Sequence, residues 1–205
     1  TNLAAPTVTG TPLFRSVLTA NVGDWDENGA PISGTEYQWQ SSRDGVVWTD
    51  IPAATGSSYA IGLYVGSTLR VKITQSNEAG PTTAYSIPTD VIGAIPAATP
   101  VLTSQQVGNA QLTLGWTPPQ HSGGVDLVGY TLQYSTDQQG WTELRFGPTI
   151  TSTTITGLAN GTSYYARVRA ETDRAGDWSP IAGPFAPVAP PVIRVTQAPA
   201  TSAPS

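Results

Sequence analysis

At 205 residues, with 21 Gly and 18 Pro, the chain has room for one or two domains but few stretches that could sustain a long helix. Only 11% of residues are charged, the net charge is −5, and the nine basic residues form no run, which speaks against nucleic acid as a partner. The absence of Cys rules out disulfides and thiolate metal sites, and no apolar stretch reaches the ~20 residues that insert across a bilayer.

A surface so poor in charge must be covered by Thr, Ser, Gln and Asn, which suits a protein working outside a cytosol or packed beside neighbours. The chain starts at Thr1 and contains no Met, so it reads as a processed or partial polypeptide.

Apolar residues alternate with polar ones from one end to the other. Leu18, Ala20 and Val22 share one parity, followed by Tyr37 and Trp39, and then by Leu69, Val71 and Ile73. The second half repeats the pattern in Leu112, Leu114 and Trp116, in Tyr130, Leu132 and Tyr134, and in Tyr164, Ala166, Val168 and Ala170. A period of two with one apolar face predicts strands buried on one side and wet on the other. Turn residues punctuate them at Arg43-Asp44-Gly45, Asn77-Glu78-Ala79-Gly80, Ser122-Gly123-Gly124 and Asn160-Gly161.

An internal repeat sets the domain count. Tyr37, Asp44, Trp48, Thr49, Asp50 and Ile51 lie over Tyr130, Asp137, Trp141, Thr142, Glu143 and Leu144. Arg70-Val71-Lys72 matches Arg167-Val168-Arg169, and Asn77 to Gly80 matches Asp173 to Gly176. The first match reads as a strand, a tight turn at the Asp, and a second strand whose Trp folds back over the sheet. The others read as a central strand with basic residues on its wet face and a hairpin turn into the last strand. Offsets of roughly 95 residues fit one sandwich each. The expected fold class is therefore all-β, with two tandem antiparallel β-sandwiches: residues 1–92, a linker at 93–100, residues 101–188, and a Pro/Ala/Ser/Thr-rich tail at 189–205. One strand could be added at 192–195.

No catalytic set is expected. His121 is the one histidine, in a turn between strands, where it reads as a solvated loop residue with nothing local to orient it. Asp44, Asp90, Asp137, Asp173 and Asp177 fall in turns, which accounts for them. Asp24, Asp26 and Asn28, followed by Gly29, resemble the start of a calcium loop, but position twelve is Thr35 and Pro31 interrupts the run. A polar loop is the plainer reading, and neither metal nor cofactor is expected. Trp48 and Trp141 occupy equivalent repeat positions and are expected to pack; Trp25 and Trp178 are less constrained. Asn160-Gly161-Thr162 forms a glycosylation sequon where a tight turn is expected.

Trp116 followed by Pro118-Pro119, the Gly129-Tyr130-x-Leu132-x-Tyr134 strand, and Leu158-x5-Tyr164 leading into Ala166 to Ala170 resemble a fibronectin type III domain. That resemblance implies a core Trp at Trp116 and a tyrosine corner at Tyr164. The first half, with Trp25, Tyr37-Gln38-Trp39-Gln40, Trp48, Tyr59, Leu69-Arg70-Val71 and Asn77 to Gly80, is similar to a bacterial immunoglobulin-like domain without cysteines. There Trp39 is expected to pack on aliphatics alone. These resemblances imply a non-enzymatic spacer or display module, on a tailed-phage particle, the virion surface or an extracellular bacterial surface. Its partners would be other structural proteins of the assembly or a host-surface glycan. The alternative is a glycan-binding accessory module of a secreted hydrolase.

Overall fold

The computed structural model describes residues 1–27 and 29–192, and every regular element among them is a β-strand. They group into two compact units: Thr1–Thr99 with Pro119–Val128 and Ala170–Asp177, and Pro100–Pro118 with Gly129–Arg169 and the residues from Trp178 on.

The first half contributes β1 (Asn2–Ala4), β2 (Thr7–Thr9), β3 (Val17–Asn21), β4 (Asp24–Trp25), β5 (Gly34–Ser42), β6 (Thr49–Asp50), β7 (Ser58–Ala60), β8 (Thr68–Asn77) and β9 (Gly80–Tyr85). One sheet runs β2-β3-β7, the other β6-β5-β8-β9, and β1 pairs with β4. The alternation in β8 is what builds the core. Leu69, Val71 and Ile73 are sealed from solvent, while Arg70, Lys72 and Thr74 between them are half-exposed. Leu18, Trp39, Ile51, Ile61 and Ile92 complete the cluster.

Trp39 departs from its expected surroundings. Besides aliphatic neighbours it meets the Tyr59 ring, with centroids 5.8 Å apart, and its indole N–H donates to the Gly56 carbonyl at 3.0 Å. With no disulfide to cover this ring, a second aromatic fills the space and a backbone acceptor satisfies its polar edge.

The second half contributes β10 (Val101–Gly108), β11 (Gln111–Thr117), β12 (Gly129–Ser135), β13 (Thr142–Phe146), β14 (Ser152–Thr156), β15 (Tyr164–Glu171) and β16 (Ala182–Phe185). Its sheets run β10-β11-β14 and β13-β12-β15-β16. Leu112, Leu114, Leu132, Ala166 and Val168 are fully buried, with Trp116 packed edge-on to Tyr130 at 5.6 Å. Tyr164 turns its hydroxyl back to accept from the Ala159 N–H at 3.0 Å, which makes the expected tyrosine corner. Gly129 opens β12 because a Cβ there would run into the Phe146 carbonyl oxygen. Among the described residues the strands of each sheet with stated register pair antiparallel, as expected from the alternation. Of the added strand expected at 192–195, Val192 is not in a strand and 193–195 lie outside the described residues, as does most of the tail.

Two substitutions separate packing from polarity in the second core. Leu114→Ala removes a fully buried side chain and should cost about 2–5 kcal/mol in urea unfolding. The Tyr130 hydroxyl is buried with no hydrogen-bond partner among the described residues, and burial pushes its pKa up. Tyr130→Phe should therefore raise stability, by about 1 kcal/mol, measured in the same urea titration.

Candidate functional site

The wet faces of the two four-stranded sheets carry the same arrangement. In the first, the Arg70 guanidinium lies 4.2 Å from the Trp48 ring centroid and 4.3 Å from that of Tyr85. Its Nε donates to Gln40 Oε1 at 2.8 Å, and Gln40 Nε2 donates to Asp50 Oδ1 at 2.7 Å. β5 and β8 place Gln40 directly opposite Arg70, so the chain Asp50–Gln40–Arg70 crosses three strands in one row. A planar guanidinium can donate in its own plane while its faces cover rings, which an ammonium cannot. Burial draws Arg70 below its ordinary pKa, while the nearby Tyr85 works in the opposite direction.

In the second, Arg167 lies 4.2 Å from Trp141 and 4.5 Å from Trp178, and Arg169 also lies 4.5 Å from Trp178. Gln133 accepts from Arg167 Nε at 3.0 Å and from its terminal nitrogen at 2.8 Å, and donates to Glu143 Oε2 at 3.1 Å. The Gln133 and Arg145 contacts hold Glu143 below the usual carboxylate range. Trp48, Trp141 and Trp178 thus each give ring surface to an arginine. Trp25 packs against the first core and donates its indole N–H to the Val22 carbonyl at 2.8 Å.

The turns beside these ladders are also duplicated. Asp44 Oδ1 accepts from the Val46 and Val47 amides and from Ser42 Oγ, each at 2.9 Å. Asp137 Oδ1 accepts from the Gln139 and Gly140 amides at 2.9 Å and from Ser135 Oγ at 2.8 Å. These bonds hold both carboxyls below the ordinary aspartate pKa, the backbone amides being the larger cause. Gly45, at φ 72°, provides the left-handed residue of the first turn.

The remaining candidates are dispersed. Asp24 lies in β4, and Asp26 is tied by its backbone to Thr1, with N···O distances of 2.8 and 3.0 Å. Asn28 lies outside the described residues, and among those described no group of three or more acidic or histidine side chains converges on a metal position. His121 is half-buried instead of solvated: its ring meets Phe14 edge-on at 5.8 Å within the first unit, and Nδ1 is shielded with no hydrogen-bond partner among the described residues. Asn160 is occupied in holding its turn, accepting from the Ala110 amide and donating to Asn109 Oδ1, both at 2.8 Å.

Two outcomes follow from this geometry. Arg167→Lys keeps the charge but loses the planar stack and the double bond to Gln133. It should destabilise by about 1–2 kcal/mol and weaken the near-UV tryptophan circular dichroism. Because Asp44 and Asp137 have lowered pKa values when folded, their stabilising effect is full above the unfolded value, about pH 4, and is lost as pH falls towards the folded value. Melting temperature should hold steady from neutral to about pH 5 and then drop. The double variant Asp44→Asn/Asp137→Asn should drop less steeply, since neither amide titrates.

Residues 97–183 match the fibronectin type III domain family, and residues 16–92 match a domain of unknown function (DUF8696). A Kelch domain-containing protein of Saccharolobus solfataricus is 31% identical over 136 residues, covering 64% of this chain and 18% of that protein. The mouse (Mus musculus) myosin-binding protein H-like is 41% identical over 66 residues, covering 32% of this chain and 19% of that protein. The chain thus spans about a fifth of the length of these curated relatives. The crystal structure of the chicken interferon gamma receptor alpha chain superposes with a TM-score of 0.55 at 10% identity, covering 90% of this chain and 98% of that one, a likeness of fold. The C-terminal half of this chain holds a fibronectin type III domain, and its fold is all-β and immunoglobulin-like.

Proposed function

We propose that the chain is a non-catalytic spacer and display module, carried on a larger assembly at a bacterial surface or on a tailed-phage particle, where it contributes to adhesion. The duplicated arginine–tryptophan ladder is the observation that carries this reading. The largest side chains on both wet faces, which in an enzyme or a hot-spot interface would be aimed at a ligand, are here spent on one another. Among the described residues, the exposed apolar side chains that remain are mostly single valines, leucines and isoleucines among polar neighbours, with Tyr85 the one aromatic, the surface of a module that stands among neighbours without gripping one tightly. The fibronectin type III match and the small share of each curated relative that the chain covers support a part repeated within longer proteins.

Antibodies raised against the folded chain should decorate intact source cells or purified particles in immunogold electron microscopy. Labelling confined to the soluble fraction, with the chain migrating as a free monomer, would contradict this function.

A further inference from the structure

The two ladders are alike, but the faces beside them are not. In the second sheet β13 runs along β12 from Tyr134 to Tyr130, and Glu143 on it is neutralised by Arg145 at 2.8 Å. In the first sheet β6 covers only Gln40 and Ser41 of β5. Beyond it Trp39 bonds Ile51 and Ala54, on either side of Pro52, so the counterparts of Tyr130 and Thr131, namely Tyr37 and Gln38, pair with β8 on one edge and with no strand among the described residues on the other.

A groove of about 490 Å³ opens there, lined by Thr35, Glu36, Gln38, Asp50, Lys72 and Thr74, among others. Its volume is in the range of small-molecule sites. Three positions that line it differ from their counterparts in the second sheet, while Tyr37 and the acid Asp50 keep theirs in Tyr130 and Glu143. Glu36 stands where β12 has Gly129, and half-exposed Gln38 stands where Thr131 is fully buried. Lys72 stands where Arg169 is stacked on Trp178. The side chains of Glu36 and Lys72 make no hydrogen bond or ion pair among the described residues, whereas Gln38 Nε2 is fixed by the Trp39 and Ile51 carbonyls, both at 2.9 Å, which leaves its Oε1 as an acceptor. Asp50 holds one oxygen on Gln40 and keeps the other.

We infer that this groove binds a neutral saccharide. The lining interleaves carboxylate acceptors (Glu36, Asp50), an ammonium donor (Lys72) and the hydroxyl oxygens of Thr35 and Thr74, which are held by bonds to Gln75 and Thr83, all anchored on strands. Sugar hydroxyls donate and accept at neighbouring positions and match such a surface, and each bond to a charged group is of the stronger kind. A peptide anchor would need an apolar pocket, and the one aromatic at the groove, Tyr37, is packed against the core. The charges of Glu36, Asp50 and Lys72 sum to −1, which disfavours an anion. With little apolar area to bury, affinity is weak for one site and rises when many copies are displayed together. This concerns what the first sandwich binds and holds whether or not the chain resides on an assembly.

Lys72 is the single lysine of the chain, so reductive ¹³C-methylation reports on the groove with one side-chain signal beside that of the amino terminus. The full chain is titrated by NMR with oligosaccharides of glucose, mannose, galactose and N-acetylglucosamine, and separately with dipeptides and inorganic phosphate. One saccharide series should shift the Lys72 signal and the amides of 35–38 and 72–74 saturably at millimolar concentration. Glu36→Gln should weaken that binding about tenfold, and Glu143→Gln, the second sheet's counterpart of Asp50, should leave it unchanged. The inference is overturned if no saccharide gives saturable shifts in those strands, if both variants bind like the parent, or if dipeptide or phosphate shifts them instead. Should Glu36→Gln fail to fold, the shift map of the parent chain alone decides.

Discussion

A sheet in a sandwich has one face secured by the core and one face left to water, and the wet face is where a domain without disulfides is most easily loosened. In this chain each exposed face is held by a guanidinium laid on tryptophan and locked in plane by a glutamine. The stack works because its parts come from different segments: Trp48 immediately precedes β6, Arg70 lies in β8 and Gln40 in β5. Removing water from between ring and cation strengthens the attraction, and the glutamine prevents the cation from swinging back into solvent. The Asp44 and Asp137 turns deliver each Trp to its position, so carboxylate and ring lie along one hairpin and the cation comes from the neighbouring strand.

Much of this was legible in the residues. Alternation gave the strands because one sealed face and one wet face leave a period-two record, as in Leu69 to Thr74. The repeat marked Trp48 with Trp141 and, separately, Arg70 with Arg167, but their offsets differ, so nothing along the chain says that ring and cation meet. Gln40 and Gln133 share a place three residues after the leading Tyr of each copy, but nothing along the chain names the arginine each of them bonds. Tyr85 and Trp178 share no residue type, and only the sheet order brings them to their arginines. Tyr59 beside Trp39 and Phe14 beside His121 were hidden for the same reason, being tertiary contacts between segments with no shared pattern.

The groove was less legible still, because it is made by where a strand stops. Pro52 ends the edge pairing, and the absence of a partner strand leaves no motif of its own. Comparing the two halves position by position is what exposes it: where the second sandwich closes its face with Gly129, buried Thr131 and stacked Arg169, the first leaves Glu36, Gln38 and Lys72 open. One framework thus supports both a closed and an open face without altering the ladder beside them.

The ladder is the claim on which the rest stands, and a double-mutant cycle on Trp48 and Arg70 tests it most directly. Trp48→Leu, Arg70→Met and the double variant are unfolded in urea, and the interaction energy is taken from the non-additivity of the three. A coupling of about 1–2 kcal/mol, larger than that of exposed surface pairs, is the predicted result. A coupling within about 0.3 kcal/mol of zero would mean that ring and cation stack without holding the face together.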